Sequence, residues 1–116
     1  MEKIKSYNTQ IWVGLKEGYD GPTHIIDEIY NICNKYVNDA KYCVTVTPTK
    51  YFYVNGFEDG AIIGLINYPR FPNTKKGIIK KALELGNILM TELNQCRISI
   101  TTPDNTYLLE NKTKKK

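Results

Sequence analysis

The densest group of residues suited to ligand chemistry lies in one stretch, INYPRFPNTKK, at residues 66–76. An arginine offers a planar fork to a phosphate, aromatic rings stack on a base, and the unpaired N–H groups of a helix start attract anions. No acidic residue occurs between positions 70 and 81. The pattern predicts a site for an anionic small molecule such as a nucleotide or a cyclic oligonucleotide. Its predicted residues are Tyr68, Arg70, Phe71, Asn73, Thr74, Lys75 and Lys76.

The same stretch also has a purely structural interpretation. Pro69 and Pro72 fix the backbone and would stiffen a connector between a strand and a helix. Asn73 or Thr74 would then cap the helix that follows, and the lysines would only keep its surface soluble. The sequence leaves both interpretations open.

No set of residues in the sequence predicts catalysis. His24 is the only histidine, and it has no recognisable nucleophile or orienting partner, which favours a solvent-facing residue at a helix start. The adjacent carboxylates at 27–28 and 58–59 fall on a helix and in a turn, which favours solvated charge over acid–base chemistry. Phosphate-binding glycine loops and metal-binding triads are missing. We therefore expect no catalytic residue, no metal and no cofactor, and we predict that the protein is not an enzyme.

The three cysteines agree with the expectation that the protein holds no metal. Cys33, Cys43 and Cys96 are far apart, form no CxxC pair and lie in apolar segments. This pattern predicts three buried thiols that pack as small apolar groups, and it argues against a zinc site or a disulfide framework.

Hydrophobic periodicity divides the chain into five strands and two helices. The predicted strands are 9–16, 43–54, 61–68, 97–102 and 106–110, and the predicted helices are 23–38, with Asp20 or Thr23 as its cap, and about 74–94. NGFEDG, residues 55–60, is typical of a hairpin turn. The order β-α-β-β-α-β, followed by one more strand, predicts an α+β fold of the ferredoxin-like split βαβ type with an extra C-terminal strand.

Both helices of such a fold cover one face of the sheet and leave the other face open. The first and third strands are expected at the centre, and Pro48 places the second strand at an edge. An apolar open face favours self-association. The alternatives are a platform for single-stranded nucleic acid, and a face that the termini or the extra hairpin cover without any partner. Which residues of the YFY run face this side stays open, because the register across Pro48 is not fixed. The predicted interface residues are Trp12, Thr45, Ile63 and Arg97.

Charge and composition set the organisation of the chain. The net charge of +4 equals the four lysines at positions 112 and 114–116, so the rest of the chain is neutral. We expect an N-terminal extension at 1–8, a single α+β domain at 9–110 and a disordered basic tail at 111–116. No apolar run is long enough for a membrane span or a signal peptide, which predicts a cytoplasmic protein.

The segments VTVTPTKYFYVNGFEDGAIIGLINYPRFP and RISITTPDNTYLLE resemble a small family of uncharacterised bacteriophage proteins. The resemblance spans roughly residues 9–110 and implies a phage accessory protein in a host bacterial cytoplasm; it implies no activity and no site residue. We therefore expect a non-enzymatic, self-associating binding protein that sequesters an anionic small molecule, such as a nucleotide defence signal, or inhibits a host protein. The alternative is an RNA- or single-strand-binding module that uses the open face and the basic tail.

Overall fold

The fold of the protein was obtained as a computed structural model that describes residues 1–18 and 20–112. Two helices lie on one five-stranded antiparallel sheet, and this confirms the predicted α+β, ferredoxin-like class with an extra C-terminal strand. The elements are β1 (Thr9–Gly14), α1 (Ile26–Ala40), β2 (Thr45–Tyr53), β3 (Gly56–Leu65), α2 (Lys75–Glu92), β4 (Arg97–Thr101) and β5 (Thr106–Glu110).

The strands are ordered β2-β3-β1-β4-β5, and every neighbouring pair is antiparallel. β1 is the middle strand, β3 is interior and β2 is an edge strand, as predicted. Pro48 lies in β2, where its missing N–H removes no bond to a further strand. The extra strand β5 pairs with β4 and becomes the other edge of the sheet.

The core lies between the helices and one face of the sheet. Ile11 and Val13 of β1 and Ile98 and Ile100 of β4 point into it, as the alternation predicts. Ile63 was expected on the open face, and that expectation is wrong. Ile63 pairs directly with Ile11 and is fully buried, because cross-strand partners share a face. Ile62 takes the open-face position instead, opposite Trp12.

The β2–β3 hairpin is longer and tighter than the sequence predicts. Tyr53 pairs with Gly56, so only Val54 and Asn55 form the turn, and Asn55 adopts a left-handed φ of 61°. The predicted turn at 55–60 is therefore mostly strand. Because β1 ends at Gly14, opposite Gly60, the tip of the hairpin extends beyond the neighbouring strand.

The two helices begin in different ways. α2 begins after Thr74, whose side chain accepts a hydrogen bond from the Gly77 N–H at 3.0 Å. Thr74 is thus the cap, one of the two residues that the sequence allowed. α1 begins three residues later than predicted, and neither Asp20 nor Thr23 caps it. The first turn is closed instead by the Glu28 carboxylate, which accepts from the Ile25 N–H at 3.0 Å.

Two further expectations concern the thiols and the tail. Only Cys33 is fully buried; Cys96 is half-buried and Cys43 is exposed, so the prediction of three buried thiols is wrong. The proposed boundaries of the domain stay a prediction, and the tail from residue 113 onward lies outside the described residues. Within residues 1–18 and 20–112, neither helix is long and apolar enough to cross a bilayer.

Candidate functional site

Two glycines form the floor of a site on the open face, at the base of the projecting hairpin. Gly14 of β1 lies opposite Gly60 of β3. A Cβ on Gly60 would overlap both the Tyr51 ring and the Val13 carbonyl oxygen, and a Cβ on Gly14 would overlap the Glu58 carboxylate. Tyr51 and Glu58 can therefore lie against the sheet only because these two positions carry no side chain.

Tyr51 is fixed above this floor. Its hydroxyl donates to the carbonyl oxygens of Val13 at 3.1 Å and Ala61 at 3.2 Å. Burial, together with the nearby charge of Glu58, raises the pKa of Tyr51 to about 12. The phenol is thus a neutral donor at neutral pH, and its ring forms one wall beside the Glu58 carboxylate.

Gln95 brings a second oxygen to the same place. Its side chain is buried, and its Nε2 donates to the carbonyl oxygens of Lys16 at 3.1 Å and Leu93 at 3.2 Å. Its Oε1 therefore faces the floor, 3.2 Å from where a Cβ on Gly14 would stand, and Oε2 of Glu58 approaches the same point. Within the described residues no hydrogen bond reaches either oxygen. Two acceptors, one of them charged, meet where a donor or a cation would be stabilised.

A cavity of about 620 Å³, the hairpin cavity, opens beside these groups, between the β2–β3 hairpin and the loop that follows β1. It is large enough for a small-molecule ligand, since such pockets span roughly 300–1,000 Å³. Residues with two aromatic rings, an ammonium group and two carboxylates line its wall. The lining residues are Lys16, Thr23, Tyr53, Asn55, Gly56, Phe57, Glu58 and Asp59.

His24 follows directly on the lining residue Thr23 and is not the solvent-facing residue that the sequence favours. Its Nε2 lies 2.6 Å from Oε2 of Glu17, and its Nδ1 lies 2.9 Å from Oε1 of Glu28. Burial lowers the pKa of His24, but the hydrogen bonds with Glu28 and Glu17 outweigh burial and raise it above the ordinary value of 6.5. The sequence missed these partners because they are four and seven positions away, across a loop.

The residues of the predicted anion site are divided between three places. Tyr68 and Phe71 pack together, with ring centroids 5.1 Å apart, and both rings contact Tyr42 edge-on. Burial raises the pKa of Tyr68 above its ordinary value. Arg70 is exposed beside this aromatic cluster. Lys76 lines a groove between α2 and Tyr107 of β5, and neither the aromatic cluster nor Arg70 lines that groove.

Asn73, Thr74 and Lys75 line a different cavity, of about 570 Å³, with the N-terminal segment and the β4–β5 turn. The Asn73 N–H donates to Oδ1 of Asn67 at 2.9 Å, and Lys75 pairs with Asp104. These polar side chains therefore bond the strand-to-helix connector to neighbouring segments of the chain. The structure therefore does not bring the seven predicted residues into one pocket, and their role in binding stays a prediction.

Three of the four predicted interface residues do lie on the open face. Trp12 is half-buried, and its Nε1 donates to Oγ1 of Thr101 at 2.9 Å. Thr45 is exposed on β2, and the exposed Arg97 pairs with Glu110 of β5 at 3.4 Å. Tyr51 and Tyr53 of the YFY run share this face, which settles the register that the sequence left open. Ile63 is the exception, since it belongs to the core.

Sequence reasoning missed Glu58, Tyr51 and Gln95. The assignment of 55–60 to a turn hid Glu58, because adjacent carboxylates in a turn are usually solvated. The available signal was the period-two run from Gly56 to Gly60, which continues the alternation of β3 and places Glu58 opposite Tyr51. No local signal points to Gln95, which reaches the site from the end of α2.

Comparison with known proteins shows which other molecules share this fold. A phage SAM lyase in complex with S-methyl-5'-thioadenosine matches with a TM-score of 0.77 and 17% identity, over 99% of this chain and 98% of that one. A phage SAM lyase in its apo state matches with a TM-score of 0.71 and 18% identity, over 96% and 95%. No family model matches the chain. No curated protein matches it in sequence either. The phage origin of both structures agrees with the phage resemblance, and at this identity the likeness shows a shared fold.

The comparison corrects the functional expectation. The sequence predicts a non-enzymatic binding protein, whereas both structures that share the fold are lyases. This finding contradicts the prediction of a sequestering or inhibitory protein and the alternative of a nucleic-acid-binding module. It also contradicts the prediction that the chain is not an enzyme. The prediction of a small-molecule partner agrees with the methylthioadenosine bound to one of the two lyases.

Proposed function

We propose that this chain is a lyase that cleaves SAM and releases S-methyl-5'-thioadenosine. The observation that carries the proposal is the match to the phage SAM lyases along nearly the full length of both chains. The meeting of the Glu58 and Gln95 oxygens over Gly14 supports it independently, because SAM carries a permanent positive charge at sulfur and a second at its amino group.

The reaction needs no water and no metal to balance. The bond between sulfur and the Cγ of the methionine portion breaks, and its electron pair stays on sulfur. The sulfonium becomes the neutral thioether of S-methyl-5'-thioadenosine. The four-carbon fragment leaves either by closing onto its own carboxylate or by losing a proton to form a double bond. In the second case, the Glu58 carboxylate is the candidate to accept that proton.

The groups of the hairpin cavity and of the adjoining glycine floor match the parts of SAM. The oxygens of Glu58 and Gln95, which meet over Gly14, suit the sulfonium or the ammonium group. Tyr53 and Phe57 line the cavity and offer rings to the adenine, and the Lys16 ammonium suits the substrate carboxylate. Once the C–S bond breaks, the sulfur loses its charge, so the attraction to Glu58 falls and release of the thioether becomes easier.

The predicted anion site at the connector is the less suitable place for the reacting sulfur. Its free charges are positive, and a sulfonium would be repelled by Arg70 and Lys76. The carboxylate of SAM is the only anionic group that the seven connector residues would hold. Their participation in binding stays a prediction.

Cleavage assays with purified protein test the proposal. We expect wild-type protein to convert SAM into S-methyl-5'-thioadenosine, measured by chromatography. Glu58→Gln removes the charge with almost no change in shape, so we expect kcat/KM to fall by about 100-fold, of the order seen when one catalytic group is removed. Glu92→Gln, an exposed carboxylate of α2, is the matched control and keeps wild-type turnover.

Two results would count against it. Wild-type protein that leaves SAM intact refutes the lyase. A Glu58→Gln variant that is as active as wild type, with an unchanged circular dichroism spectrum, removes the hairpin cavity as the site.

We also infer that the open face mediates self-association, in a host bacterial cytoplasm where cleavage would remove SAM. Trp12, Ile62 and the exposed Leu108 present apolar surface on this face. Trp12→Lys places a charge among them and is expected to lower the sedimentation coefficient to that of a monomer. Ile88→Lys on the exposed side of α2 is the control. Equal sedimentation of Trp12→Lys and wild type would exclude this face.

A further inference from the structure

The loop between β1 and α1, described at residues 15–18 and 20–25, carries two of the residues that line the hairpin cavity, Lys16 and Thr23. These two residues form an isolated antiparallel bridge. Two backbone hydrogen bonds flank it, from the Glu17 N–H to the Pro22 oxygen at 2.9 Å and from the His24 N–H to the Leu15 oxygen at 2.7 Å. This bridge and its two flanking hydrogen bonds form the base of the loop. The positions of Lys16 and Thr23 in the cavity wall therefore depend on the contacts that hold this base in place.

His24 joins that base to both helices. Its Nε2 bonds Glu17 within the loop, and its Nδ1 bonds Glu28 in the first turn of α1. The other oxygen of Glu17 accepts from Nδ2 of Asn94, at the end of α2, at 2.8 Å. Only the doubly protonated imidazolium can donate to two carboxylates at once, since a neutral ring has one N–H.

We propose that His24 is a positioning residue for the lyase reaction, and that its cationic form clamps the β1–α1 loop so that Lys16 and Thr23 face the hairpin cavity. The inference rests on the proposed function. His24 does not line the cavity, so its loss is expected to weaken substrate binding and to leave the chemical step almost unchanged. The measurable consequence is a rise in KM with a nearly constant kcat.

The charges around His24 define the pH range of this effect. Among the described residues, Glu17 faces it from the loop and Glu28 from α1, and the neutral amide of Asn94, at the end of α2, donates to Glu17. The pKa of His24 lies above 6.5, so the clamp is complete below pH 6.5 and is lost as the pH rises through the raised pKa. When the proton leaves, the ring keeps one donor and one of the two carboxylates loses its bond.

Three variants compared over pH 6 to 9 test the inference. His24→Gln is neutral throughout, His24→Lys keeps a cation, and Lys35→Gln removes an exposed charge from the same helix as a control. For wild type and the control, we expect KM to rise about fivefold between pH 6 and 9, in line with the loss of one charge-assisted hydrogen bond. His24→Gln should show the high KM already at pH 6. His24→Lys should recover part of the low KM at pH 9, and kcat should stay within about twofold in all variants.

Two structural measurements separate this inference from the lyase assignment. His24 is the only histidine, so a single imidazole NMR signal gives its pKa directly. Amide exchange at Glu17 and His24 should be about tenfold faster in His24→Gln than in wild type at pH 6. Equal exchange in the two proteins, or a wild-type pH profile of KM in His24→Gln, overturns the clamp. If wild type does not cleave SAM, the proposed function and the KM effect fall together, and the exchange result still decides whether His24 holds the loop.

Discussion

The molecule has a hairpin end, at the β2–β3 turn, and a connector end, at residues 66–76. Both ends combine aromatic rings, charges and a cavity, but their polar groups are suited to ligands of opposite charge. At the hairpin end, the oxygens of Glu58 and Gln95 meet without a donor from the described residues. At the connector end, Arg70 and Lys76 are exposed donors, and the Tyr7 hydroxyl is buried without a partner among the described residues. One end is suited to a cation and the other to an anion. A count of charged residues along the sequence does not reveal the first end, because its two key oxygens come from β3 and from the segment after α2, which are distant in sequence.

The two ends also differ in how their side chains are held. Tyr51 and Glu58 lie against the glycines of a central sheet, which leaves their positions little freedom. At the connector, Tyr68 and Phe71 hold each other from a segment without regular secondary structure. Catalytic groups need fixed geometry, so the rigid sheet is the better support for chemistry.

The largest expected effect comes from filling the glycine floor. In Gly60→Ala, the new methyl group would overlap the Val13 carbonyl oxygen, which is backbone and cannot rotate away, as well as the Tyr51 ring. We expect the free energy of unfolding to fall by about 1–3 kcal/mol, the usual cost of overpacking, measured by urea denaturation. Cleavage of SAM should fall with it, because Tyr51 and Glu58 are displaced together.

Gly64→Ala is the matched control on the same strand and the same face. Its methyl group would meet only the Thr45 hydroxyl, which can rotate away. We expect a change in the free energy of unfolding of less than about 0.5 kcal/mol and normal turnover. Similar losses in both variants would show that a methyl group costs as much at Gly64 as at Gly60, and the special role of the Gly14–Gly60 floor would be lost.

The sequence predicts the class of fold well because the fold depends on periodicity. Ile11, Val13, Ile98 and Ile100 alternate in clear strands, and their burial follows from that alternation alone. Ile63 lies in a run that is apolar on both sides, AIIGLI, where a shift of one residue exchanges the two faces. Its register is fixed by pairing with β1, which is information that the run itself does not contain.

The candidate site is much less predictable from the sequence, for a related reason. Glu58 and Tyr51 become neighbours only once the hairpin turn is placed at Val54 and Asn55. A turn at 55–60, as the sequence suggests, separates them. Gln95 and Gly14 are distant in sequence and meet only through the packing of α2 against β1. Arg70 and its lysines, in contrast, are conspicuous because they are close in sequence, although the fold then separates them.

The smallest expected effect is that of Arg70→Ala, and it tests the connector directly. Arg70 is exposed, and no hydrogen bond or ion pair joins it to the other described residues, so we expect the free energy of unfolding to change by less than about 0.5 kcal/mol. If the hairpin cavity holds the whole substrate, KM for SAM also stays within about twofold of wild type. A rise in KM of about tenfold or more with unchanged kcat would mean that the substrate carboxylate reaches Arg70. The two ends would then bind different parts of one substrate, with the cationic groups of SAM at the hairpin and its carboxylate at the connector.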